Sequence, residues 1–174
     1  GNNDGCIKTF DISSDGASIA EVAYLEHHDN STVYNNSIIK IGNSNTFALV
    51  YANGASTGTL KTFTISDAGS ISYIATANFE TNTVDNPELV HVDSDIYAIM
   101  YSGVDKDWFI KTYDISSVGA ISYLNSAEWT ETTSGSASSY GGSFVQVDSD
   151  TYAASHMIDG NGVFISTLSI TNGG

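Results

Sequence analysis

The chain has 174 residues, 41% hydrophobic and 11% aromatic, with 16 Gly, one Pro and one Cys, enough apolar material for the core of one ordinary domain. Its 20 acids stand against 5 bases, all lysine, and a formal charge of −15 excludes a phosphate backbone as a partner. No stretch approaches the ~20 apolar residues of a membrane helix, so no membrane insertion is expected, and the lone Cys6 leaves no internal disulfide.

Along the chain, two segments recur. Ile7-Lys8-Thr9-Phe10-Asp11-Ile12 returns as Leu60-Lys61-Thr62-Phe63-Thr64-Ile65, Ile110-Lys111-Thr112-Tyr113-Asp114-Ile115 and Ile165-Ser166-Thr167-Leu168-Ser169-Ile170. Between them, Val90-His91-Val92-Asp93-Ser94-Asp95 matches Val145-Gln146-Val147-Asp148-Ser149-Asp150 and, one residue longer at its turn, the run from Ile39 to Ala48. Two independent landmarks share one period of roughly fifty residues, which marks a repeat architecture.

Each unit reads as four short strands, A to D. β-Branched and aromatic residues dominate, Gly and Asn punctuate, and no 3.6-residue apolar stripe appears. The divisions are a part-unit at 1–29, full units at 36–80 and 87–131, and a part-unit at 143–174, which makes one repeat domain of thirteen strands. In strand B, Tyr97, Ile99 and Tyr101 point one way and Ala98 and Met100 the other, so both faces are apolar. A sheet hidden on both sides lies between neighbours, as a propeller blade does. The expected fold is therefore an all-β propeller of four-stranded blades, about three per chain, where a ring takes about 4 to 8. Either a longer array or a homodimer completes such a ring, the dimer giving six blades. A β-trefoil is the alternative, since three four-stranded units also describe it.

The stretch from Asp95 to Ile121, "DIYAIMYSGVDKDWFIKTYDISSVGAI", resembles tandem repeats of secreted or surface proteins from archaea and marine microbes, broadly similar to the WD40 and YVTN types. That resemblance covers essentially the whole chain and implies a propeller, not an activity. The Gly-His…Trp-Asp signature of WD40 blades is absent, and Ser13-Ser14-Asp15-Gly16 only approximates a sialidase Asp-box. With the low charge density and abundant Ser, Thr and Asn, it points to an extracellular or cell-surface setting.

The A–B and C–D turns stay alike between copies, whereas the B–C and D–A loops vary and share one rim. Variable loops on a rigid scaffold are where binding is usually placed; the competing reading is unconstrained drift. The candidate ligand-binding residues on that rim are Trp108, Asp105, Asp107, His156, Asp159, Tyr140 and His27. An aromatic ring beside carboxylates can stack on a sugar while accepting its hydroxyl hydrogen bonds, so a glycan or protein ligand is expected. Alternatively Trp108, like Trp129, fills a gap between blades.

Lys8, Lys61 and Lys111 hold one strand-C position, and a cation repeated once per blade pairs with a neighbouring carboxylate or carbonyl. Calcium is the metal the Asp-Ser-Asp turns bring to mind, but no segment offers a full loop of about six to eight oxygens, and turn formation explains them more simply. No zinc spacing, nucleophile elbow or phosphate loop appears, and Cys6 has no activating base beside it. No catalytic residue and no cofactor is assigned. The reading is a non-enzymatic binding module, with a purely architectural repeat unit as the alternative and a propeller glycosidase or lyase as the third.

Overall fold

The computed structural model describes residues 4–29, 32–54, 57–130, 142–158 and 162–171. Within them the chain runs β1 (Gly5–Ile12), β2 (Ile19–His28), β3 (Val33–Lys40), β4 (Thr46–Asn53), β5 (Gly58–Ile65), β6 (Ile71–Glu80), β7 (Asp85–Asp93) and β8 (Ile96–Ser102). A 3-10 turn at Val104–Lys106 follows, then β9 (Trp108–Ile115), β10 (Ile121–Thr130), β11 (Ser143–Asp148), β12 (Thr151–Ile158) and β13 (Gly162–Ser169). These strands form four separate antiparallel sheets in sequence order: β1–β2, β3–β6, β7–β10 and β11–β13. All-β architecture in four-stranded leaves is what the two-faced strands demanded. The trefoil alternative, a closed barrel, is not what forms.

Strand B is the centre of each leaf. All of β8 except Ile96 is buried, and β4 is nearly so. Leu49 and Tyr51 of β4 turn back to the first sheet, meeting Ile7 and Phe63 in one cluster. Ala48, Val50 and Ala52 turn forward and meet Tyr97, Ile99 and Tyr101 of β8. Beyond it, Ala98 and Met100 of β8 join Tyr152 and Ala154 of β12. Alternate side chains of one strand thus serve two interfaces, the direct consequence of the two-residue period.

Polar latches set the spacing between leaves. Thr9 Oγ1 donates to the Gly69 carbonyl and Thr62 Oγ1 to the Gly119 carbonyl, each at 2.7 Å. The accepting glycines sit in the C–D turns at φ of 81° and 85°, where a side chain is disfavoured. A Cβ there would also strike Val22 Cγ1 at 2.8 Å or Ile74 Cδ1 at 2.6 Å, in the strand D of the sheet before. Tyr97 and Tyr152 reach back similarly, one accepting from Gly42 N at 3.1 Å, the other donating to Val92 O at 3.1 Å.

Strand D is irregular in each of its three described copies. The pairing of β1 with β2, β5 with β6 and β9 with β10 skips one residue at Val22, Ile74 and Leu124, and another at His27, Phe79 and Trp129. A bulge re-aims its side chain and frees a backbone group from the ladder. Periodicity of side-chain types carries no trace of it.

Candidate functional site

The repeated lysines find the bulges. Lys61 Nζ donates to the His27 carbonyl, and Lys111 Nζ to the Phe79 carbonyl at 2.6 Å. Lys111 also pairs with Glu80 Oε2 at 3.1 Å, and Tyr101 donates to that same oxygen at 2.9 Å. Burial pushes the Glu80 carboxyl up, but the Asn82 and Thr81 amides, Lys111 and Tyr101 outweigh it and hold it at about 2. The expected pairing with a carbonyl or carboxylate is what Lys61 and Lys111 show. Lys8, in the first sheet, instead forms an exposed pair with Glu21 at 2.7 Å.

The candidate residues do not converge. Trp108 is fully buried, with its ring 6.0 Å from His156, and Trp129 lies 4.6 Å from the same imidazole. Phe164 stacks on His156 at 5.8 Å. The expectation of an exposed Trp108 on the rim is corrected: it is interior packing, because the aromatic face of one leaf needs a filler against the next. His156 is buried too, and desolvation lowers its pKa against an opposing hydrogen bond with the Ala154 backbone, which favours the neutral ring. Among the described residues, His156 Nδ1 and Trp129 Nε1 have no hydrogen-bond partner.

His27 lies at a different interface, its ring 4.9 Å from Tyr51. Burial first, then Lys61 and His28, lower its pKa to about 4. Asp105 (φ 56°) sits inside the 3-10 turn before β9 and Asp107 follows it, the first exposed and the second half-buried. Tyr140 and Asp159 lie outside the described residues. Of the Asp-Ser-Asp turns, Asp148 Oδ1 accepts from its own Ser149 amide at 2.8 Å, and Asp93 Oδ1 from the Ser94 hydroxyl at 3.4 Å, both serving the turn. Asp4, Glu26 and Asp29 bring oxygens within 4.8 Å of one another, three ligands where calcium takes about six to eight.

A polar cleft that the sequence reading did not single out lies where the first residues of β3 and β7 meet Gly142. Its volume is about 260 Å³, and Asn35, Asn36, Ser37, Asn86, Pro87 and Glu88 line it. Asn35 and Asn86 take φ of 43° and 50° at equivalent bulges of strand A. Asparagine tolerates that geometry where most residues do not. Glu88 Oε2 is buried with no hydrogen-bond partner among the described residues. Burial raises its pKa against an opposing hydrogen bond from the Phe144 backbone. The visible signal was the polar opening of strand A in two copies, Asn35-Asn36-Ser37 and Asn86-Pro87-Glu88. Both stretches end variable D–A loops, but nothing in their residue types shows that the two loop ends meet across sheets.

No family model matches the chain, and no curated protein does. A solved structure does: a β-propeller-like protein from Lactobacillus plantarum, with a TM-score of 0.70 at 15% identity over 94% of this chain. The match takes up 47% of that protein, so the chain spans about half of its length. At that identity the likeness speaks for the fold alone: the two four-stranded sheets match the blades of a propeller-like fold, with a two-stranded and a three-stranded part-blade at the ends.

Proposed function

We propose that the protein is a binding module, not an enzyme, and that it takes a hydroxyl-rich ligand of glycan type into the cleft between β3 and β7. One observation carries the reading: a carboxyl oxygen of Glu88, buried and without a hydrogen-bond partner among the described residues, at a cleft lined by asparagine amides. Buried polar groups are ordinarily satisfied, so an orphan acceptor at a pocket wall calls for a donor from outside. A sugar hydroxyl supplies one, and the amides of Asn35, Asn36 and Asn86 offer both donors and acceptors to its neighbours.

A glycan array followed by calorimetry tests this. Retention of at least one glycan is expected, with Glu88→Gln or Asn36→Ala weakening it about tenfold, the worth of one hydrogen bond. An array without a hit, or binding indifferent to both substitutions, contradicts it. The architectural reading is favoured by a separate observation, the apolar outward faces of the first and last sheets. A unit of that kind binds no glycan and associates through those faces.

A further inference from the structure

Equivalent positions of the repeat are buried where a full neighbouring sheet covers them and exposed where the first and last sheets are short of strands. Val147 is 62% exposed where Val92 is 2%, Phe10 is 52% where Phe63 is 0%, and Ile38 is 49% where Leu89 is 6%. Val147 and its neighbours Val145 and Ile165 lie on the outward face of the last sheet. Phe10 and Ile38 lie on the opposite side of the molecule, facing away from the sheets that follow. Each is apolar for the reason its equivalents are: a neighbouring blade covers that position elsewhere in the same chain.

Two clefts mark which strands are wanting. One, about 300 Å³, runs beside β13 against β9 and β10, lined by Ile110, Thr112, Ala127, Trp129, Leu168 and Ile170. It lies where a strand D would flank β13. The other, about 410 Å³, runs beside β1 against β3, lined by Ile7, Lys8, His27, Val33, Ile38 and Leu49. It lies where a strand B would flank β1. The first sheet therefore holds strands C and D, the last holds A, B and C, and the surplus is one strand C.

The lysine series says which strand C belongs. Lys61 meets the bulge carbonyl of His27 and Lys111 that of Phe79, and the third bulge in the series is at Trp129. The lysine position facing that third bulge is Ser166, on β13, whose side chains are mostly exposed. The spare lysine is Lys8, on β1, held at the surface by a pair with Glu21 and by the Tyr24 ring 5.6 Å from its ammonium.

We propose that two copies of this chain close by strand exchange: the β1–β2 hairpin of one copy replaces β13 beside β12 of the other, which brings Lys8 to the Trp129 carbonyl and makes β2 the fourth strand. The second copy does the same in return. The exchange fills both clefts, covers Val145 and Val147 with the partner's β3, and yields six four-stranded sheets about a two-fold axis. Charge opposes it, since each copy carries −15, so salt favours the dimer.

Light scattering of the full chain reads the mass directly, twice 18.4 kDa being expected, with the dimer fraction rising with salt. A single-chain mass at every concentration and salt overturns the proposal. Cross-linking reads the geometry. Strand C pairs Thr59 with Tyr51, Phe109 with Tyr101 and Phe164 with His156, so Cys6 of an exchanged hairpin falls opposite position 156. His156→Cys, treated with oxidised glutathione, is expected to give a covalent dimer that Cys6→Ser abolishes. A dimer that fails to cross-link contradicts the exchange. Lys8→Ala removes only exposed contacts with Glu21 and Tyr24 in the isolated chain, so its fold survives and dimer affinity is expected to fall at least about tenfold. Unchanged affinity also overturns the proposal.

Discussion

Lys111 and Lys8 occupy the same repeat position in opposite circumstances. Lys111 bridges the Phe79 carbonyl and Glu80 in a half-buried setting, so Lys111→Ala is expected to cost about 2 kcal/mol in urea unfolding, the scale of hydrogen bonds to charged groups. Lys8→Ala, at an exposed pair, leaves urea unfolding of the isolated chain unchanged. Two further groups tie stability to pH. His27 is held neutral to about 4 in the fold but takes a proton near 6.5 when unfolded, so stability falls as pH drops from 6.5 to 4. Glu80 is held at about 2 against an ordinary 4.5, so its contribution, complete above 4.5, is lost as pH falls from there to 2. Thermal melts across this range are expected to show both declines; His27→Gln shrinks the upper one and leaves the lower one, the remainder of the upper belonging to His156, whose pKa burial also lowers. The lysine pairing was legible because charge repeated once per blade has few inexpensive solutions. For Trp108 the sequence left packing and ligand stacking both open, and the polar cleft at Glu88 was not legible, because both depend on which loops and strand ends meet across leaves.

At the scale of elements, the C–D turns carry a natural control. Gly16, Gly69 and Gly119 hold the same turn position, all at positive φ. A Cβ at Gly119 would lie 2.6 Å from Ile74 Cδ1, while one at Gly16 meets nothing within 4 Å. Gly16→Ala should therefore cost only the backbone term, about 1–2 kcal/mol. Gly119→Ala adds the crowding, bringing a further 1–3 kcal/mol or so. Equal losses in urea titrations would mean that Gly119 does not seat against strand D of the sheet before it. The strands themselves were readable from two-faced apolar alternation and Gly-Asn punctuation. The paired bulges of strand D were not, since a bulge shifts register without a distinctive residue: Val22, Ile74 and Leu124 resemble any strand residue.

For the whole molecule, the governing feature is that the central strands of the inner sheets, β4, β5, β8 and β9, are hidden on both faces, whereas the first and last sheets each leave one face open. The repeat period predicted stacked leaves, and the separate sheets and the likeness to a propeller-like protein agree with it. The arrangement of strands among sheets also followed from the order of landmarks along the chain. What periodicity could not reveal is which end surface a second chain would take, because that rests on the bulge carbonyls and the lysines that meet them.

Amide hydrogen exchange, read strand by strand, asks most directly whether the sheets are stacked in this way. Protection is expected to be greatest in β4, β5, β8 and β9, which neighbouring leaves cover on either side, and much weaker in β1, β11 and β13 of the isolated chain. Protection spread evenly over three equivalent thirds, with β1 and β13 as slow as β4 and β8, would contradict it.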